Sequence, residues 1–275
     1  MSTVVVTGAS GFIGQALVVE LVRRGITTVA VSRQSGVSIF GAKFVQVDDY
    51  SATPAPPDAV LVHLAEESAL AATTMEIASR MDDVVKLLLT KPFRHVVYAS
   101  TGMVYGDQYK RPCDPKDRPM GGGTHVVAKL GCERQVLDVG STVVRLANVF
   151  GPRMTKGTVV DDILQQFPGD EPIRVRGLNS VRDFIWIDDV AAGLSDIVAG
   201  IAGGIFNLGS GIGHSVRDVA EVACQVMSQS GRGLVATEPK HKESSLVLDI
   251  SRTTNAFGWC PLVSFEDGLK KIMRP

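Results

Sequence analysis

Two sets of residues in this sequence have the types and spacing to do chemistry. The first is Gly8-Ala9-Ser10-Gly11-Phe12-Ile13-Gly14, which follows a β-branched run and opens a helical pattern. Glycines permit a tight turn there and let backbone N–H groups approach an anion closely. The positive end of the helix adds to them, so the turn suits the pyrophosphate of a dinucleotide. Gly8, Ser10, Gly11, Phe12, Ile13 and Gly14 are the candidate contacts. The second set is His125 with Lys129 four positions later. That spacing puts both side chains on one face of a helix. An imidazole titrates near pH 6.5 and can accept a proton at neutral pH, and a neighbouring ammonium favours its neutral form. A lone histidine on a helix is more often a satisfied structural residue.

Ser32-Arg33 closes a second β-branched run. An acidic residue there would bond the adenosine ribose of NAD, whereas a hydroxyl followed by a guanidinium suits a 2′-phosphate. NADP(H) is therefore favoured, with NAD(H) as the alternative. A solvated Arg33 at a strand end is the competing reading. Asp48, after the third run, is a candidate adenine contact or a surface turn residue.

The elements that must position these residues alternate. Strands are expected at Thr3–Thr7, Thr28–Ser32, Ala42–Val47, Ala59–Leu64, His95–Ala99 and Ser141–Leu146. Helices are expected at Phe12–Arg24, Leu70–Leu89 and Thr124–Val139. Nearly continuous apolar strands separated by helices imply a parallel sheet covered on both faces. After Gly151-Pro152 the pattern loosens. Short strands at Ile173–Val175 and Phe184–Ile187 mix with helices at Asp189–Ala199 and Val216–Ser228. A last helix starts near Ser264, with Ser264 as N-cap and Asp267 at N3. The expected organisation is a dinucleotide-binding domain over 1–150, with later segments returning to it, and a mainly substrate-binding region over 151–275.

These pieces resemble the extended short-chain dehydrogenase/reductases, in particular the NAD(P)-dependent nucleotide-sugar epimerase/dehydratase group. The resemblance runs almost end to end. It includes Gly8–Gly14, His63-Leu64-Ala65, Ser100-Thr101-Gly102-Met103-Val104-Tyr105-Gly106 and Arg145–Pro152. It continues through Arg182-Asp183-Phe184-Ile185-Trp186-Ile187-Asp188-Asp189-Val190, Phe206–Gly211 and Phe257–Pro261. It implies a Rossmann-type doubly wound α/β fold with a smaller mixed α/β C-terminal substrate region. It also implies cofactor contacts at Leu64, Ala65 and Lys129. Thr101 takes the place of the residue that holds the reacting sugar oxygen, and His125 stands where the family carries a tyrosine that passes the proton. Lys129 matches the lysine that tunes that tyrosine and bonds the nicotinamide ribose. Asn148 matches a nucleotide-sugar contact, and Arg182 a phosphate contact. A homodimer through Leu70–Leu89 and Thr124–Val139 is implied as well.

The histidine changes the proton chemistry. Tyrosine, with a pKa of about 10, needs the lysine to become a usable base, and histidine does not. Alcohol oxidation should then suffer less than ketone reduction. Sugar 4,6-dehydratases of the family carry an Asp-Glu pair after the Ser/Thr, where this sequence has Gly102-Met103. Dehydration is not expected, which leaves C4 epimerisation or 4-keto reduction. The rival reading is a catalytically degenerate binder of dinucleotide or nucleotide sugar, acting as a sensor or partner subunit.

Other features narrow the class. The net charge of −1 makes no case for nucleic acid or membrane as a partner. No apolar run approaches the roughly 20 residues that cross a bilayer, and no signal peptide is expected before the first strand. Cys113, Cys132, Cys224 and Cys260 lie far apart, and no cluster has metal-ligand spacing, so a reduced cytoplasmic protein without a metal is expected. Arg174 and Arg176 could join Arg182 in a diphosphate clamp or line a solvated strand edge. Lys240-His241-Lys242 is a weaker phosphate candidate. Asp161-Asp162 and Asp188-Asp189 are adjacent pairs whose members point apart, the second expected to cap a helix.

Overall fold

A computed structural model describes residues 3–35, 41–65, 74–238 and 243–273. The N-terminal half supplies β1 (Val4–Thr7), α1 (Phe12–Arg23), β2 (Thr28–Ser32), β3 (Lys43–Gln46), β4 (Val60–His63) and α2 (Met75–Leu89). These are followed by β5 (His95–Thr101), α3 (Thr124–Asp138) and β6 (Thr142–Leu146). The rest supplies β7 (Asn148–Phe150), α4 (Val159–Leu164), β8 (Ile173–Val175), β9 (Val181–Trp186), α5 (Ile187–Gly200), β10 (Gly204–Leu208) and β11 (Gly213–Ser215). It ends with α6 (Val216–Val226), β12 (Leu234–Ala236), β13 (Ser245–Leu246), α7 (Ser251–Phe257) and α8 (Phe265–Met273).

The central sheet has seven parallel strands in the order β10-β6-β5-β4-β1-β2-β3. The β-branched runs form its middle because both faces are buried. Val4 and Val6 of β1 enter one core and Val5 enters the other. Leu17 and Leu21 of α1 and Leu194 and Ile197 of α5 cover the first face. On the opposite face Met81 and Val85 of α2 meet Cys132 and Val136 of α3. The chain reverses winding direction between β1 and β4, and a crevice is expected there beyond the strand ends. Residues 204–208 return to this sheet beside β6, with Phe206 opposite Val144.

A second core joins Phe150, Phe184, Trp186, Val219 and Leu269. It packs against a smaller sheet in which β9 pairs with β7, β11 and β13. The sequence reading does not assign β7, β8's partner β12, β10, β11, β13, α4 or α7, because two- to seven-residue elements are too short for a periodic signal. Asp188 and Asp189 lie in the first turn of α5, and the cap itself is Trp186. Ser264 Oγ accepts the N–H of Asp267 at 3.1 Å, the cap expected for α8. Lys240-His241-Lys242 and the start of the Leu70–Leu89 helix fall outside the described residues. No helix among the described residues is long and apolar enough to cross a membrane.

One buried histidine makes stability depend on pH. His95 opens β5, and its Nε2 lies 2.7 Å from Thr142 Oγ1. Burial, then the charge of Arg94, lowers its pKa from 6.5. As pH falls below that value the unfolded chain takes up a proton that the folded chain resists. The contribution is present above the unfolded pKa and is lost as pH falls through the folded one. His214, lowered by burial against the opposing charges of Asp218 and Asp183, acts in the same sense. Urea midpoints should therefore drop as pH is lowered from about 6.5 to about 5. His95→Gln, which keeps a partner for Thr142, should flatten that slope; an unchanged slope would refute the assignment.

Candidate active site

The glycine turn is built for a close approach. Gly8 has φ +70°, and a Cβ on it would stand 2.9 Å from the backbone of Ala65. A Cβ on Gly14 would meet the Gly8 carbonyl oxygen at 2.1 Å, so α1 lies directly on the turn. Helix α1 starts at an N-cap glycine, Gly11, with no side-chain cap and no acidic residue in its first turn. Its opening N–H groups and its dipole are left for an external anion. Ser10 Oγ lies 2.8 Å from Ser32 Oγ, which joins the turn to the end of β2. These residues fit a dinucleotide pyrophosphate, the group that the cofactor reading requires.

Just past the end of β2 lies a small cavity of about 40 Å³ lined by Arg33, Asp49, Tyr50, His63, Ala65 and Arg80, among others. The Arg33 guanidinium sits 5.3 Å from the Tyr50 ring centroid. Asp49 has its pKa lowered by Ser51 and by the charges of Arg33 and Arg80. Asp48 is exposed, and its neighbour Asp49 is the carboxylate that lines this cavity. Ser32 is buried, with its hydroxyl used by Ser10 and by the N–H of Gln34.

A larger cleft of about 400 Å³ opens where the small sheet meets the strand ends of the large one. It brings together Phe12 and Ile13 from the glycine turn, Thr101 from β5, Asn148 from β7 and Arg182 from β9. Thr101 ends β5, and its Oγ1 accepts the N–H of Met103 at 3.2 Å. Asn148 Nδ2 donates to the carbonyl of Asp183 at 3.1 Å. The Arg182 guanidinium donates to Val181 O, Ser244 O and Ser244 Oγ at 2.7 to 3.1 Å. Burial lowers its pKa, with the charge of Asp107 acting the other way. Arg174 and Arg176 are exposed and do not line the cleft; Arg176 pairs with Glu238 at 3.5 Å.

Helix α3 holds His125 and Lys129 beside the cleft rather than among its lining residues. Lys129 is buried, and its Nζ donates to the carbonyl of Ala99, two residues before Thr101, at 2.7 Å. The same Nζ lies 5.0 Å from the Tyr98 ring centroid, and Tyr98 stacks on His63. Half-buried His125 is four residues nearer the start of α3, about 6 Å along the axis.

One turn past Lys129, Glu133 continues the same face, and sequence reasoning missed it. It is buried; it accepts from Ser100 Oγ at 2.5 Å and from Arg145 at 2.7 and 3.0 Å. Extending the i, i+4 series from His125 would have found it. Arg145 in turn stands 4.6 Å from the centroid of Tyr105. The Tyr105 hydroxyl donates to Asn207 at 2.8 Å, and burial pushes its pKa up to about 12. Asp183 is a second buried carboxylate the sequence did not announce. It accepts from Ser210 N, Ser210 Oγ, Gly211 N and Leu248 N at 2.6 to 3.2 Å. Burial raises its pKa, and these donors oppose the rise. Cys113, Cys132 and Cys224 are buried and reduced, Cys260 is exposed, and no metal-binding cluster occurs among the described residues.

A doubly wound parallel sheet, an open glycine turn and a cleft at the strand ends define a dinucleotide-binding enzyme of the dehydrogenase type. The chain belongs to the NAD dependent epimerase/dehydratase family, which it matches over residues 4–209. It is 27% identical over 179 residues to the low-salt glycan biosynthesis protein Agl12 of Haloferax volcanii, covering 62% of this chain and 58% of that protein. It is 24% identical to dTDP-4-dehydro-6-deoxyglucose reductase of Escherichia coli, covering 98% of this chain and 96% of the reductase. The fold is that of a UDP-glucose 4-epimerase from Thermotoga maritima, with a TM-score of 0.85, 23% identity, and coverage of 98% and 96% of the two chains.

Proposed function

We propose that the protein modifies a nucleotide-activated hexose at C4, as a 4-epimerase or 4-ketoreductase, with His125 in the proton-transfer position. The supporting observation is the cleft that gathers Phe12, Ile13, Thr101, Asn148 and Arg182 from four separate elements. On this reading the sheet of residues 1–150, with β10 and α5, binds the dinucleotide, and most of the remainder receives the sugar nucleotide. The two reactions are those named for the Escherichia coli reductase and the Thermotoga maritima epimerase.

When bound, the nicotinamide supplies or accepts the hydride. The protein's own groups handle the rest. The Thr101 hydroxyl holds the C4 oxygen at the end of β5. His125 takes or returns the proton on that oxygen, in the range where an imidazole changes state. Lys129, steadied by its bond to Ala99 O, reaches the nicotinamide ribose. Asn148 bonds the sugar nucleotide. Arg182, a cation already partly stripped of water, receives the diphosphate through charge-assisted bonds. Arg33 reads the 2′-phosphate, which makes NADP(H) the preferred cofactor. A second copy of the chain packs on the exposed faces of α2 and α3, where Met75, Leu87 and Val127 are exposed.

One observation favours the rival reading of a degenerate binder: neither His125 nor Lys129 lines the cleft. Nicotinamide absorbance followed with UDP- and dTDP-hexoses separates the two. Turnover that Lys129→Ala lowers by a factor on the order of a hundred or more supports the enzyme. NADPH or NADH bound tightly with no turnover on any sugar supports the binder. His125→Tyr should reduce activity if the imidazole is the working base, and a large gain would mark a degraded site. Titrating NADPH against NADH checks the cofactor preference directly.

A further inference from the structure

The walls beside Thr101 are apolar by construction. In the β5–β6 register Thr101 is paired with Leu146, so a leucine lies next to it on the neighbouring strand. Gly102 follows, and a Cβ there would stand 3.1 Å from Leu248 Cδ2. The Leu248 side chain therefore packs directly on that backbone, and Leu248 is buried. Met103 comes next and is about half exposed at the cleft. Among the described lining residues the ionisable groups are Arg182 and Asp183. Both oxygens of Asp183 are taken by backbone and serine donors. Arg182 is tied down at β9 and residue 244.

In a hexose held through its C4 oxygen, C6 branches from C5, the ring carbon adjacent to C4. With that oxygen on Thr101, the C6 group lies only a few bonds away, within reach of the surface adjoining Thr101. We propose that the cleft is built for a nucleotide hexose with an uncharged C6, a 6-deoxy or 6-hydroxy sugar rather than a uronic acid. Met103 and Leu248 are the specificity-determining residues. This inference rests on the assignment of the cleft to a nucleotide sugar. A carboxylate at C6 would lose water to alkyl groups with no cation on that wall, which is strongly unfavourable. A methyl or hydroxymethyl group would not.

Calorimetric titration of the full chain tests it, in matched UDP and dTDP series that differ only at C6: glucose, 6-deoxyglucose and glucuronate, with the free diphosphates as controls. The expected order is 6-deoxyglucose at least equal to glucose, with glucuronate weaker by a factor on the order of a hundred. Met103→Arg should strengthen glucuronate binding on the order of tenfold and leave UDP or dTDP alone unchanged. Glucuronate bound as tightly as glucose would overturn the inference while leaving the nucleotide-sugar assignment standing. So would a folded Met103→Arg protein whose glucuronate affinity has not moved. If no sugar nucleotide binds better than its free diphosphate, the cleft is not a sugar site and both readings fall.

Discussion

Arg145→Ala should remove about 3–5 kcal/mol of folding stability, the usual effect of taking one partner from a buried ion pair. Arg145 and Glu133 face each other at 2.7 Å with side chains 2% and 3% exposed. Burial works against the guanidinium's charge, and Glu133 more than offsets it, so the Arg145 pKa is raised. With alanine at 145 the Glu133 carboxylate keeps Ser100 as its described partner in a site that excludes water. Tyr105 also loses the cation over its ring. Urea denaturation measures the loss. The discriminating control is the double replacement Arg145→Met with Glu133→Leu. Apolar groups of similar volume leave no unpaired charge, and such exchanges are often neutral or stabilising. The double variant should recover most of the stability. A double variant as unstable as the single one would mean that packing, not charge pairing, sets the effect. The pair also bears on the site, because Glu133 anchors the face of α3 that holds Lys129 and His125 to Ser100, the neighbour of Thr101. Single replacements should weaken cofactor binding even where the protein stays folded.

Asp183→Ala is expected to destabilise by roughly 3 kcal/mol and to abolish binding of a sugar nucleotide in the cleft. The Asp183 carboxylate joins β9 to residues 210–211 and to Leu248. Alanine strands those N–H groups in a buried place, each at about 1–3 kcal/mol, partly offset by removing a desolvated charge. Asparagine should not rescue it. Ser210 N and Ser210 Oγ donate to Oδ1, and Gly211 N and Leu248 N donate to Oδ2. Either orientation of an amide turns its NH2 toward at least one backbone N–H that can only donate, Ser210 N on one side and Gly211 N and Leu248 N on the other. Thermal melts and a UDP titration check both parts. Full nucleotide affinity in Asp183→Asn would show that the node is not what shapes the cleft.

The long central strands were legible because burial on both faces writes itself as continuous β-branched sequence, as in Val4–Val6, Val29–Val31 and Val60–Val62. β8 was legible in the separate pair it forms with β12, and the small sheet was legible only at β9. Its other members, such as Ser245–Leu246, are too short to show an alternation, and they form because β9 offers them an edge. Within the site, the glycine turn and the His125–Lys129 pair were readable because each is a local spacing. The buried partners were not. Tyr105 and Asn207 are 102 positions apart, and Asp183 and Leu248 are 65 apart. Nothing in the residues near Leu248 announces a wall against Gly102.

The sequence by itself determined six of the seven strands of the sheet, the glycine turn that opens α1 and the helix face shared by His125 and Lys129. Each depends on neighbours within one strand or a few helical turns, where backbone geometry dictates direction. Only the tertiary structure decided that Thr101, Asn148 and Arg182 share one cleft, that Asp49 rather than Asp48 faces Arg33, and that the surface beside Thr101 is alkyl. Those outcomes depend on strand order and register, which follow from how whole faces are buried against one another.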